Sequence, residues 1–474
     1  LRAALAGCVL GAVMALSNLY VILKTGWSLG VTITACILAF AFFRMLSAAG
    51  LVRREFGPLE NNAMASVASA AGYMTGGGNM AALPALVLLT GAAPGGLAMV
   101  AWFTAIAMLG VFVAIPVKRQ LVNREQLPFP SGTATAETIR ALHHGGGSGQ
   151  ARLLGGAGLV GAVVAIVKDA GLPFLPKLPA SFGLPVLVGG LPAARWGLAM
   201  EPSLLMVGSG MLVSLRTGWS MLLGAVIGYG VLAPRMVAAG VIESVTYRAI
   251  VQWTLWGGAA ILVSSGLLSA LFEWRSLAES FRAMRRLFRR ETGSAAGDPI
   301  AAVEVPPHWF PLGLLAFGPV VVFLMWWLFG IPPWFAVLTL PLMVLLGFMA
   351  ARITGETDTT PTKAFGPLTQ LLYGSALPGQ LVPNVMGANV TGGVGLHAAD
   401  LLTDLKSGYL LGARPRPQLY AQLIGTVVGA AAIVPVFGIL VPDASAIGTE
   451  RFPAPAAQVW AGVSRILAAG AGAL

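Results

Sequence analysis

Two sets of titratable side chains recur in this chain with one spacing. Glu137, Arg140 and His144 fall at i, i+3 and i+7, and His397, Asp400 and Asp404 repeat the interval. That spacing puts each set on one face of a helix. Such a face could relay protons, a histidine or carboxylate changing charge, or it could hold a divalent cation loosely. A solvated helix end has the same spacing, so both readings stand. The first two members of the first set lie in Leu127–His143, LPFPSGTATAETIRALH, which also carries Ser131, Thr133, Thr135 and Thr138, and His144 follows it directly. Only 10% of the chain is charged, 57% is hydrophobic, and mean hydropathy is +0.81. Polar groups on such a background mark a place where something polar is handled.

Other polar residues sit where helices should break. Glu60-Asn61-Asn62, Gly76-Gly77-Gly78-Asn79 and Leu127–His143 are three such segments. The region 368–398 is a fourth, with Pro378, Gly379, Pro383, Asn384, Gly387, Asn389, Thr391, Gly392 and Gly393. Irregular backbone at membrane depth is tolerated where it is buried or lines a cavity, and half-helices there can aim backbone groups at a ligand. Glycines also serve close helix packing. Packing is favoured for the triple glycine, a cavity for 383–393. The candidate substrate contacts are Asn61, Asn79, Ser131, Thr133, Thr135, Asn384, Asn389 and Thr391. The candidates for proton or cation coupling are Glu137, His397, Asp400 and Asp404; no metal ligand set is assigned.

The elements that position these residues read as membrane helices. Apolar runs of about 20 residues, enough to cross ~30 Å of hydrocarbon, recur near 3–23, 29–49, 63–90, 95–116, 153–168, 196–214, 218–238 and 249–272. After a polar break come 309–330, 334–351, the broken region 368–398, and 418–440. The basic clusters Arg44/Arg53/Arg54, Lys118/Arg119/Arg124, Arg216 and 273–293 fall on one side if eight spans precede residue 273, and that side is cytoplasmic. Arg282, Arg285, Arg286, Arg289 and Arg290 line one face of a helix opposite Leu277, Phe281, Met284 and Phe288. This suits a basic amphipathic helix on an anionic leaflet or a solvated linker. Phe-Gly-Pro-Leu occurs at 56–59 and again at 365–368, each time after two apolar spans. The expected organisation is a first transmembrane half at 1–272, a cytoplasmic helix and linker at 273–308, and a second half at 309–474. The halves would be parallel repeats with Gly/Pro-broken helices. The second is expected to continue beyond this sequence, and Leu1, inside an apolar run, suggests a trimmed start.

The net charge of +11 is explained by loop arginines rather than by nucleic-acid binding. Cys8 and Cys36 lie in apolar runs without CxxC, which argues against a disulfide framework or thiolate metal site. HExxH and a Walker A ending in GK[ST] are absent from the sequence, and no GxGxxG precedes a Rossmann-like unit. An enzyme is therefore not expected, and transport would draw on an ion gradient or an outside subunit.

Leu127–His143, Gly355–Pro361 (GETDTTP) and Asp400–Arg416 (DLLTDLKSGYLLGARPR), with FPAP at 452–455, resemble the oligopeptide transporter superfamily. The likeness is to bacterial members related to the yellow stripe-like metal-chelate transporters. The resemblance implies an all-α polytopic transporter of the bacterial cytoplasmic (inner) membrane. It implies proton-coupled import of small peptides or metal complexes of amino-acid-derived chelators, with no cofactor beyond the proton gradient. Pro130, Ser131, Gly132, Thr133, Thr135 and Glu137 match its signature helix, Asp400, Asp404, Lys406 and Gly408 its second-half signature, and Glu60 and Asn61 its polar turn. Expected partners are a small-molecule or short-peptide substrate and membrane lipids, with no nucleic acid; oligomeric state is left open. The rival readings are an intramembrane enzyme acting on a lipid or lipid-linked substrate, and a passive channel.

Overall fold

A chain this apolar must satisfy its backbone internally, and helices do so within one segment. The computed structural model describes residues 1–169, 181–200, 204–268 and 303–469, apart from isolated positions and short stretches within them. The described residues are all-α apart from two short antiparallel strand pairs. The basic segment 273–292, His144 and most of the linker before residue 303 lie outside the described residues.

The first helices are α1 (Arg2–Thr25), α2 (Thr32–Ala48), α3 (Pro58–Tyr73), α4 (Gly77–Thr90), α5 (Gly96–Lys118), α6 (Pro130–Ala141) and α7 (Gly147–Asp169). Later come α8 (Leu204–Leu212), α9 (Leu215–Ala225) and α10 (Ala233–Ala238). The last are α11 (Trp309–Phe329), α12 (Pro333–Thr357), α13 (Thr362–Ala376), α14 (Leu381–Leu411), α15 (Pro415–Leu440) and α16 (Pro455–Ala469). Among the described residues six helices are long and apolar enough to cross a membrane. On α11 and α12, Phe323, Trp326, Trp327 and Trp334 are exposed at one end, while Trp309 packs near Tyr420 at the other. About 26 Å of helix separates Trp309 from Trp326, the spacing of two aromatic belts at the membrane interfaces.

Contacts divide the chain into two units. One comprises 1–151, 261–447 and 452–474, the other 152–260 and 448–451. In the second, Phe182–Gly183 pairs antiparallel with Ala199–Met200, and Leu187–Val188 with Leu191–Pro192. Trp196 fills its small core beside Ala233, Ile242 and Ile250, and its indole N–H donates to the Val188 carbonyl at 2.8 Å. The apolar run 196–214 is therefore not one membrane helix. It starts at the end of a 3₁₀ turn, where Gly197 takes a left-handed φ of 81°, and passes through the short strand Ala199–Met200, while helix is described over Leu204–Leu212.

In the first unit α14 is the hub, packing against α3, α4, α5, α6, α11, α12, α13, α15 and α16. Its 31 residues extend about 46 Å. It is buried almost continuously from Pro383 to Gly408, and it ends where Gly412 turns left-handed. This revises the expected broken region: the chain turns at Leu377–Gln380 and then runs unbroken through 383–393. The small residues there are packing surfaces rather than a cavity wall. A Cβ on Gly387 would strike the Tyr373 ring, one on Gly393 would lie 2.6 Å from Ile106, and Gly78 presses against the Gly392 backbone. The run 63–90 is instead two helices. The break at Met74–Gly76 is satisfied locally: Thr75 Oγ1 donates to the Gly72 carbonyl at 2.6 Å, and Asn79 Nδ2 to the Met74 carbonyl at 3.1 Å. The two Phe-Gly-Pro-Leu copies differ in setting, the first leading into α3 and the second lying within α13.

Close approach through glycine makes a direct prediction. A Cβ on Gly425 of α15 would clash with the Val67 carbonyl oxygen, whereas Gly438 on the same helix faces open space. Gly425→Ala is expected to cost about 1–3 kcal/mol, read as a lower melting temperature in detergent. Gly438→Ala is expected to leave the melting temperature unchanged or slightly higher.

Candidate functional site

Three polar clusters gather around α14. The first joins the ends of two helices. Asp358, left-handed at φ 63°, caps α6: its Oδ1 accepts from the Ser131 N–H at 2.8 Å and its Oδ2 from the Ser131 hydroxyl at 2.6 Å. Ser131 is therefore not itself the cap; it sits in the first turn and donates to a cap from another segment. The Phe129 N–H donates to the Gly355 carbonyl at 2.8 Å. Thr133 bonds the Pro128 carbonyl and Thr135 the Ser131 carbonyl, so both hydroxyls are spent on their own segment. Glu137 pairs with Arg140 at 2.6 Å on an exposed face, and Arg140 also reaches the Leu410 carbonyl.

The second cluster is deeply buried. Asn389 Oδ1 accepts from the Trp102 indole at 2.8 Å, while its Nδ2 donates to the Gly78 carbonyl at 2.8 Å and to Asn79 Oδ1 at 3.0 Å. One amide thus ties α14 to α4 and α5. Nearby, the Thr391 and Thr369 hydroxyls meet at 2.7 Å, and Asn384 Nδ2 donates to the Gln370 carbonyl at 2.6 Å. Asn384 Oδ1 has no partner.

The third cluster holds the carboxylates. Asp400 and Asp404 are 3% and 1% exposed, one helical turn apart on α14. Asp400 Oδ1 accepts from the Ser69 hydroxyl of α3 at 2.6 Å, and Ser69 accepts from Thr32 of α2 at 3.1 Å. Gln422 Nε2 of α15 donates to Asp400 Oδ2 at 3.1 Å and Asp404 Oδ2 at 2.7 Å. Below them Gln418 Nε2 donates to the Asp404 carbonyl at 2.7 Å, and the Ser407 hydroxyl donates to Asn62 Oδ1 at 2.8 Å. Gly408 has no side chain because Gln418 fills that space. No arginine or lysine forms a salt bridge with either carboxylate among the described residues. His397, wholly buried a turn before Asp400, has both ring nitrogens unpartnered and stands over Gly110 of α5. Asn61 Nδ2 donates to the Cys36 carbonyl at 3.3 Å and lies 3.4 Å from His143 Nε2.

The fold thus brings Asp400 together with Asp404, and Asn79 with Asn389. It puts Ser131, Thr133, Thr135 and Glu137 in a separate docking region. The residues that sequence reasoning missed are Ser69, Gln418, Gln422, Trp102 and Asp358. Gln418 and Gln422 at i, i+4 in an apolar span, and Ser66 and Ser69 in another, were the signal available. Among the described residues no group of three or more His, Cys, Asp and Glu side chains is placed to hold a metal ion.

A buried polar column inside a helical membrane bundle suits solute passage, and comparison supplies the family. The family described as OPT oligopeptide transporter protein matches residues 1–474. The chain belongs to the oligopeptide transporter family. It is similar to a Saccharomyces cerevisiae protein named for oligopeptide transport, 26% identical over 98% of this chain and 81% of that protein. It is also similar to the iron-phytosiderophore transporter yellow stripe 1 of Zea mays, 26% identical over 94% of this chain and 72% of that protein. A metal-nicotianamine transporter of Arabidopsis thaliana is 24% identical over 100% of this chain and 78% of its own length. This family member is a multi-pass membrane protein with a polar core on one helix.

Losing that core's best-satisfied amide has a predictable cost. Asn389→Leu strands the Trp102 N–H and Asn79 Oδ1, and should destabilise by about 2–4 kcal/mol. Asn384→Leu removes one bond and an already unpartnered oxygen, so about 1 kcal/mol is expected. Thermal unfolding of the two variants side by side checks the order.

Proposed function

We propose that this chain is a secondary active transporter, driven by protons, that imports small peptides or metal complexes of amino-acid-derived chelators across a bacterial cytoplasmic membrane. The observation that carries the coupling is the Asp400–Asp404 pair, two carboxylates buried in the bundle with neutral hydrogen-bond donors and no salt-bridged cation. Ionisable groups inside a membrane bundle are expensive and mark ion pathways. A pair of negative charges away from water calls for a positive charge that comes and goes, and a proton supplies one. The names of the relatives support the substrate class, since they span oligopeptides, iron-phytosiderophores and metal-nicotianamine complexes. Few fixed charges line the core, which favours neutral or zwitterionic cargo over a polyanion.

In this reading Asn79, Asn384, Asn389 and Thr391 lie on the substrate's path, and the bonds of Asn389 to Asn79, Asn384 to Gln370 and Thr391 to Thr369 belong to a closed state. Substrate entry exchanges those bonds for bonds to cargo. Rocking of the helices around α14 alternates access, and the pair loads and unloads its proton on opposite sides.

The test is uptake by the full-length protein in liposomes under an imposed inward proton gradient. Labelled tri- to pentapeptides and an iron–chelate complex are compared with and without a protonophore. Saturable, protonophore-sensitive accumulation of one cargo is expected. Asp400→Asn should abolish uphill accumulation while leaving exchange of cargo down its gradient. Uptake indifferent to the protonophore would defeat the coupling, and linear uptake without saturation would indicate a channel.

A further inference from the structure

Gln422 joins the two carboxylates from another helix. Its side chain is fully buried, and Nε2 carries two hydrogens, one directed at each acid: 3.1 Å to Asp400 Oδ2 and 2.7 Å to Asp404 Oδ2. Gln422 Oε1 is also buried and has no hydrogen-bond partner. We propose that Gln422 makes Asp400 and Asp404 a single site that exchanges one proton, and that its amide is the positioning group that registers the proton's presence. This rests on reading the pair as the coupling site.

Three features support it. Sharing one nitrogen brings the two Oδ2 atoms within about 6 Å of each other, where like charges in a low-dielectric surrounding interact strongly and the pair titrates as one coupled site whose two protons leave in separate steps. Among the described residues, the groups around them offer no compensating cation. Ser66, Ser69 and Tyr73 face the pair from α3, Thr32 and Cys36 from α2, and Gln418 and Gln422 from α15. On α14 itself His397 lies a turn before Asp400 and bonds neither acid, and Lys406, two residues beyond Asp404, is on another face. Finally, a carboxyl that takes a proton turns from acceptor into donor, and the free Oε1 is an acceptor on the side chain already in contact. A half turn of the soft terminal torsion exchanges a donated bond for an accepted one. Gln422 thus has two arrangements, each matched to one charge state of the pair, and it passes that state to α15.

Infrared pH titration of the full-length protein in a lipid film tests this without substrate. A protonated-carboxyl stretch that disappears as pH rises is expected in the wild type, and either Asp400→Asn or Asp404→Asn should move or remove it. Gln422→Met keeps side-chain length and removes both N–H donors to the ionised form, so the midpoint should rise by about one pH unit. If Gln422→Met does not fold, Gln422→Asn withdraws the amide by one methylene and carries the same expectation. A midpoint unmoved in the folded Gln422 variant would overturn the proposal, because packing alone then explains the residue. So would a wild type without the band, or a band in Asp400→Asn with an unchanged midpoint. If the midpoint shifts while uptake ignores a protonophore, the coupling reading fails and the role of Gln422 stands.

Discussion

Everything in the helical core depends on keeping one polar helix dry. Hydrocarbon offers no hydrogen-bond partners, so α14, with its asparagines, threonines, histidine and aspartates, must be enclosed by protein on every side. Enclosure at that density requires neighbours whose backbones come close, and the glycines supply it. A Cβ on Gly110 of α5 would lie only 2.7 Å from the His397 Cβ, and Gly132 lets α6 press on the Thr403 carbonyl. Without apolar attraction between helices in lipid, such packing contacts and interhelical hydrogen bonds carry the association.

The same constraint accounts for the segments that carry the family resemblance. PSGTATA seats α6 on α14 through Gly132, and its first turn is capped by Asp358 from GETDTTP. Gly355 of that second segment stands against the Phe129 ring and accepts the Phe129 N–H. The third segment, DLLTDLKSGYLL, holds both carboxylates and uses Gly408 to admit Gln418. Three motifs far apart in sequence are thus parts of one packing arrangement. Their hydroxyls serve the joints, and the carboxylates are what the joints surround.

This explains what was legible in the sequence. Helical class and the shared face of Asp400 and Asp404 follow from hydropathy and from spacing alone, because both are local properties. The continuity of α14 through 383–393 was not legible. A run of glycine, asparagine and threonine is a poor helix by propensity, and here the neighbours override that propensity with bonds such as Asn389 to Gly78. Nor could the sequence pair Ser69 with Asp400, 331 residues away. A single serine in an apolar span reads as filler until its partner is known. The strand at Ala199–Met200 that interrupts the apolar run after Trp196 was hidden for the opposite reason, since hydropathy does not distinguish a membrane helix from a small apolar core.

The break between α3 and α4 has a mechanical meaning in this arrangement. The carboxylate cluster is bonded to α3 through Ser69, and the Asn389 cluster is bonded to α4 through Gly78 and Asn79. Met74–Gly76 lies between these attachments, so α3 and α4 are separate levers on the same central helix. A continuous helix there would force both clusters to open or close together. A broken one allows the contacts at one end of α14 to change while those at the other persist, which the proposed alternating access requires. The cost of a break in hydrocarbon is unsatisfied backbone, and Thr75 and Asn79 remove part of it by bonding the Gly72 and Met74 carbonyls. Asn79 therefore serves the joint with one end of its amide and the Asn389 cluster with the other, so any motion at the break is felt by α14.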